Sequence, residues 1–81
     1  MSGAESVETE LENRRIEHAI NAFLRQLNEE KRSIFIRRYW YFESIDTLCL
    51  RTGFSRSKVT SILFQLRKKL RIYLESEGIE V

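Results

Sequence analysis

At 81 residues, 42% of them hydrophobic, the chain holds enough apolar material for one small core and too little for a separate active-site cleft. No apolar run approaches the roughly 18 to 20 residues needed to span a bilayer, and the acidic, polar opening MSGAESVETELE lacks the apolar stretch of a secretion signal, which points to the cytoplasm. The formal charge of +2 conceals a gradient: residues 1–30 carry seven acids against three bases, and residues 31–81 carry eleven bases against five acids.

The basic excess is concentrated further, because the stretch from Arg51 to Arg71 holds seven bases and no acid. A solvated helix face ordinarily alternates in sign, so a one-sided run favours a polyanionic partner over a surface that merely meets water. Cys49 is the single cysteine and forms neither an internal disulfide nor a metal cluster, in keeping with a reducing compartment. No metal or other cofactor is expected.

Proline is absent, sustained period-2 alternation is absent, and apolar residues recur at helical spacing, so the expected class is all-α. The small, acidic residues 1–9 are expected to be disordered, with residues 10–81 forming the domain. A first helix from about Glu10 to Leu27 carries one apolar stripe of Ile16, Ala19, Ile20, Phe23, Leu24 and Leu27. Asn28 followed by Glu29 and Glu30 reads as an N-cap with acids in the first turn, where they complement the helix dipole. The second helix then runs to about Tyr41 and buries Ile34, Phe35 and Tyr39. Of the aromatics that follow, Phe42 is expected in the core beside Tyr39, with Trp40 and Tyr41 half exposed.

Ser44 caps a short third helix that reaches about Arg51, and Gly53 ends it by supplying a left-handed backbone. Ser55 caps a fourth helix that meets no glycine or proline before Gly78. At about 100° per residue, Val59, Ile62, Leu63, Leu66, Leu70, Tyr73 and Leu74 share its buried face. The opposite face then holds Ser57, Thr60, Ser61, Phe64, Gln65 and Lys68, flanked by Lys58 and Lys69 on one side and Arg67 and Arg71 on the other. Hydroxyls and an amide can read base edges, a phenyl ring can touch a thymine methyl, and flanking cations can hold phosphates. A short helix, a glycine turn and a second helix offered to the major groove make up a helix-turn-helix. The expected fold is thus a four-helix, all-α domain with a C-terminal helix-turn-helix and no winged element.

The run INAFLRQLNEEKRSIFIRRYWYFESIDTLCLRTGFSRSKVTSILFQLRKKLRIYLESEGI resembles region 4 of sigma-70 family RNA polymerase sigma factors, particularly of the extracytoplasmic-function type. The resemblance is carried by Leu27, Glu29, Glu30, Arg32, Ile34 to Ile36, Arg38, Tyr39, Ser44, Leu48, Gly53, Ser55, Val59, Ser61 and the Arg67 to Leu70 run. Asn28 stands where the family usually has proline, and both suit a helix start. Leu50, Arg51 and Thr52 depart further, since the family usually has a polar residue followed by two apolar ones. Either the short helix is rotated or its end packs less well. Cys49 falls where the family prefers alanine, which suits a small buried side chain.

The resemblance implies sequence-specific binding to double-stranded promoter DNA at the minus-35 element, with docking on the flap of the RNA polymerase β subunit and, in some relatives, on an anti-sigma factor. Thr60, Ser61, Phe64 and Gln65 are the candidates for base edges. Arg38, Arg56, Lys58 and Lys68 are the candidates for phosphates, and Ile20, Phe23, Leu24 and Phe35 for a partner-facing apolar side, with the domain's own core as the alternative place for the same four residues. Complete sigma factors carry a preceding domain as well, so the resemblance implies a fragment, an excised domain or a stand-alone relative.

Two rivals stand beside this reading. One is a protein-interaction module that occupies polymerase or an anti-sigma factor without reading DNA, anchored by Tyr39, Trp40, Tyr41 and Phe42. The other is a DNA-binding effector domain of the LuxR type, in which a break follows the recognition helix. The unbroken pattern between Arg56 and Glu77 favours the sigma resemblance. Catalysis is not expected: His18 has no second ligand at metal spacing, and Ser55, Ser57 and Ser61 have no base beside them to make a nucleophile.

Overall fold

Three short polar side chains start three of the helices. Asn28, Ser44 and Ser55 sit in extended backbone, and their side-chain oxygens accept from the N–H of Lys31 (2.8 Å), Thr47 (3.1 Å) and Lys58 (3.1 Å). Each satisfies one of the donors that a helix start leaves without an internal partner. The computed structural model describes the backbone of residues 3–79 and the side chains of residues 10–79. In chain order the elements are α1 (Gly3–Arg25), α2 (Glu29–Tyr39), α3 (Ile45–Thr52) and α4 (Arg56–Ser76), with no strand among the described residues. The fold is the expected all-α, four-helix domain.

Helix ends follow glycine where glycine is present. Gly53, at φ 76°, closes α3 by donating its N–H to the Cys49 carbonyl at 2.8 Å. Gly78, at φ 77°, closes α4, and the N–H of Ile79 returns to the Leu74 carbonyl at 2.9 Å. That return buries Ile79, which lies beyond the stripe expected of the helix. The Arg15 guanidinium donates to the Glu77 carbonyl at 2.8 Å and ties α1 to this end of α4.

The core has two layers. Phe23, Leu24, Phe35 and Leu66 form one, against which Ile20, Leu27, Leu70 and Tyr73 pack. Ile34, Leu48, Val59 and Leu63 form the other, with Ile45, Cys49 and Phe54 at its edge. Tyr39 and Ile62 touch both layers and join them. Because α4 contributes Val59, Leu63, Leu66 and Leu74 and packs on all three other helices, it is the spine of the domain. Its outer face is left free.

Four expectations change. The backbone of α1 is helical from Gly3, where the first helix was expected to start at about Glu10. Ala4, Glu5 and Glu8 favour a helix start, and nothing after Gly3 interrupts it. Met1, Ser2, Glu80 and Val81 lie outside the described residues. Next, α2 ends at Tyr39 rather than near Tyr41. Third, Phe42 is not core. It takes a left-handed backbone (φ 56°) and is 84% exposed. No glycine or asparagine lies between Tyr39 and Ser44, so a bulky residue must make the turn out of α2.

The fourth change concerns the apolar residues offered to a partner. Phe23, Leu24 and Phe35 are 4%, 6% and 4% exposed, and Ile20 is packed against them. Their stripe faces α4 and not an external protein. An 81-residue chain has few apolar side chains to spare, and its own core takes them first.

Candidate nucleic-acid interface

The turn before α4 is built from local hydrogen bonds. Thr52 donates its hydroxyl to the Leu48 carbonyl at 2.8 Å and accepts from the Phe54 N–H at 3.1 Å. Arg51 leaves the core side altogether and pairs with Glu43 at 2.9 Å. Leu50 points outward and is 87% exposed. The unusual Leu50-Arg51-Thr52 end of α3 therefore closes with polar contacts instead of apolar packing. Phe54 then fills the layer beside Val59, and Ser55 sets the first turn of α4.

Buried Val59, Leu63 and Leu66 clamp one side of α4, which leaves the other side to solvent. Ser57, Thr60, Ser61, Phe64, Gln65 and Lys68 are all exposed there, Phe64 at 55%. From Thr60 to Lys68 the row spans about 12 Å at the helical rise of about 1.5 Å per residue. That length suits the floor of a major groove, which is about 12 Å wide.

The proposed readers are not equivalent. Thr60 donates its hydroxyl back to the helix, to the carbonyls of Arg56 (2.9 Å) and Ser57 (3.0 Å). It can therefore offer a base only its acceptor lone pairs and its methyl. No intramolecular hydrogen bond engages the side chains of Ser61 and Gln65 among the described residues, so both keep their full capacity.

The cations divide in the same way. Arg56 is paired with Asp46 of α3 at 2.5 Å, both ends exposed. Lys58 lies over the Phe54 ring, 3.8 Å from its centroid, a cation–π contact that fixes the ammonium at the start of α4. Lys68 has no carboxylate partner among the described residues and is exposed. Arg38 is half-buried and donates to the Glu43 carbonyl at 2.9 Å, so it first of all braces the turn from α2 to α3. Arg67 reaches across to α2 and donates to the Tyr39 hydroxyl at 2.7 Å.

Two features went unread in the sequence. The pairing of Asp46 with Arg56 depends on how α3 sits beside α4, which no local pattern announces. The Phe42 turn had one signal, the lack of any glycine or asparagine in the connection. Elsewhere, a groove of about 750 Å³ runs between α1 and the end of α4 and includes Leu11, His18, Tyr73 and Glu77. Partial burial and the Glu77 carboxylate both hold the Tyr73 phenol above its usual range, with Arg25 opposing them. No family model matches the chain, and neither a curated protein nor a solved structure does.

Proposed function

We propose that this chain is a helix-turn-helix domain that binds double-stranded promoter DNA, reading a minus-35-type element as region 4 of sigma-70 family sigma factors does. In this reading α4 lies in the major groove. Ser61, Phe64 and Gln65 meet base edges, Thr60 contributes its methyl and lone pairs, and Lys58, Lys68 and Arg56 hold phosphates on the groove walls. The role is binding in the cytoplasm, with no catalytic step. No helix among the described residues is long and apolar enough to cross a membrane.

One observation carries this reading: a capped helix, wedged against α3 through Val59 and Leu63, presents a single exposed row of hydroxyl, aromatic, amide and ammonium groups. A row chosen only for solubility would include acids, and from Arg56 to Arg71 there are none. Docking on the polymerase flap or on an anti-sigma factor remains part of the proposal, with surface residues in place of the buried Phe23, Leu24 and Phe35.

The test separates reading from holding. A preferred duplex is selected from a random pool, and variants are measured on it and on scrambled DNA at several salt concentrations. Gln65→Ala costs about 1 to 3 kcal/mol on the preferred duplex and little on scrambled DNA. Lys68→Ala weakens both duplexes alike and lowers the salt slope by about one. Equal loss on both duplexes for Gln65→Ala, or a flat salt response, would remove the base-reading role.

A further inference from the structure

The corner between α2 and α3 displays three consecutive aromatic side chains, Trp40, Tyr41 and Phe42, at 52%, 69% and 84% exposure. Single exposed apolar residues are ordinary, but three together on one turn are not. Phe42 adds a second cost, because its left-handed backbone is one that bulky L-residues resist and glycine or asparagine accepts. The turn thus holds a phenyl ring in water by means of a strained backbone. Such strain persists where surrounding contacts over-determine it, and it concentrates at ligand-binding segments.

Those contacts are present. The Glu43 N–H donates to the Arg37 carbonyl at 3.0 Å, and Arg38 donates to the Glu43 carbonyl at 2.9 Å. The Glu43 side chain, itself largely buried, receives Arg51 at 2.9 Å and Arg37 at 3.4 Å. Trp40 leans on Phe35 of the core, ring centroids 6.3 Å apart. The aromatic turn is therefore rigid before anything binds, which lowers the entropy lost on association.

Beside it lies a recess of about 250 Å³ bounded by Glu29, Arg32, Ser33, Ile36, Arg37 and Tyr41. Arg32 donates to the Leu27 carbonyl at 3.1 Å, its Nε is buried without a partner, and no carboxylate among the described residues pairs with it. Arg37 has only the longest of its neighbourhood's ion pairs. Positive charge beside the aromatic turn is thus incompletely neutralised. Glu29 on the rim sets the sign of what enters: one carboxylate gains from the two guanidiniums, whereas a chain of phosphates also meets this acid.

We propose that the α2–α3 corner docks a partner protein through a short segment in which a carboxylate flanks apolar side chains. The apolar groups pack on Trp40, Tyr41 and Phe42, and the carboxylate sits beside Arg37 and Arg32. Aromatic and arginine side chains are the residue types that dominate protein interfaces. This surface is made by α2 and its turn, whereas the DNA-reading row is on α4, so the docking site stands whether or not that reading holds.

The experiment pans a displayed library of short random peptides against the immobilised full chain, then measures the consensus peptide by fluorescence anisotropy. Expected is a consensus with Asp or Glu next to Leu, Ile or an aromatic. Phe42→Gly should weaken it about tenfold, as loss of an interface anchor does, while the melting temperature stays level or rises. Arg37→Gln should weaken the wild-type peptide more than its Glu→Gln counterpart, because only the former loses a partner. The same variants are run with a single-stranded oligonucleotide and with anionic vesicles. The proposal is overturned if no sequence is enriched, if the consensus lacks an acid, or if Phe42→Gly leaves its affinity unchanged. It is also overturned if the oligonucleotide or the vesicles bind through this turn and the peptides do not.

Discussion

At Arg56 the same guanidinium is asked to do two things, since it pairs with Asp46 in the free domain and is a candidate for a phosphate in the bound one. An exposed pair is worth about 0.2 to 1 kcal/mol, and breaking it is part of what binding costs. Asp46→Asn removes that competition and also removes a negative charge from the proposed DNA side of the domain. Affinity for duplex DNA should rise roughly 1.4- to fivefold at low salt, the free-energy equivalent of such a pair, and the gain should fade as salt screens it. A variant that bound more weakly would mean that Asp46 itself contacts the duplex. Tyr73 offers a different single-residue test. Its folded pKa is raised by partial burial and by Glu77, against Arg25. The folded state therefore holds the phenol proton more tightly than the unfolded chain, whose tyrosines titrate near 10. That preference supports stability below pH about 10 and is lost as pH climbs through the folded pKa. Melting temperatures of Tyr73→Phe and wild type across pH 8 to 12 should show a shallower alkaline decline in the variant.

For the elements, the decisive length of chain is Gly53 to Lys58, where α3 ends and α4 begins. Gly53 supplies the left-handed turn, Phe54 enters the core layer, and Ser55 accepts from the Lys58 N–H. Ser55→Ala removes the cap from α4 and should destabilise the domain by about 1 kcal/mol. Because the frayed turn is the one that carries Ser57, Lys58 and Thr60, duplex affinity should fall with it. Ser55→Asp restores an acceptor and should recover stability, while the negative charge it adds to the proposed groove side should lower DNA affinity. Stability and affinity would thus part company between the two variants, as thermal melts and duplex titrations can read. An equal loss of both in Ser55→Asp would point to a role for the hydroxyl beyond capping.

For the molecule as a whole, α4 is both the spine of the core and the proposed reading helix, so the two sides of one helix divide between folding and binding. Leu63 lies in a core layer with Ile34, Leu48 and Val59 and is almost fully buried. Leu63→Ala should cost about 2 to 5 kcal/mol, a large share of the roughly 5 to 15 kcal/mol that holds a typical domain folded. Partial unfolding near room temperature, followed by circular dichroism, is the expected result. Gln65 is two residues away on the opposite face, and its change to Ala should leave the melting curve where it was. The extended shape, 49 × 26 × 18 Å, follows from a 23-residue α1 that outruns the body it packs against.

The sequence by itself determined what local chemistry and helical period control. Asn28, Ser44 and Ser55 had to cap, because a short polar side chain before an apolar-periodic segment meets the donors that every helix start leaves open. Gly53 had to turn the chain, and the stripe from Val59 to Leu74 had to face inward, which placed Thr60, Ser61, Phe64, Gln65 and Lys68 outward. The tertiary structure alone decided the matters that depend on which element covers which. An apolar stripe does not say whether its cover is another helix or another protein, so Phe23 and Leu24 were legible as apolar while their cover was not. The outward turn of Phe42 depends on the path from α2 to α3, which is set by Glu43 gathering Arg37 and Arg51 from two helices. The pairing of Asp46 with Arg56 and of Tyr39 with Arg67 spans 10 and 28 residues of sequence. Contacts at such separations arise only when packed helices bring their ends together, and no periodicity along the chain encodes them.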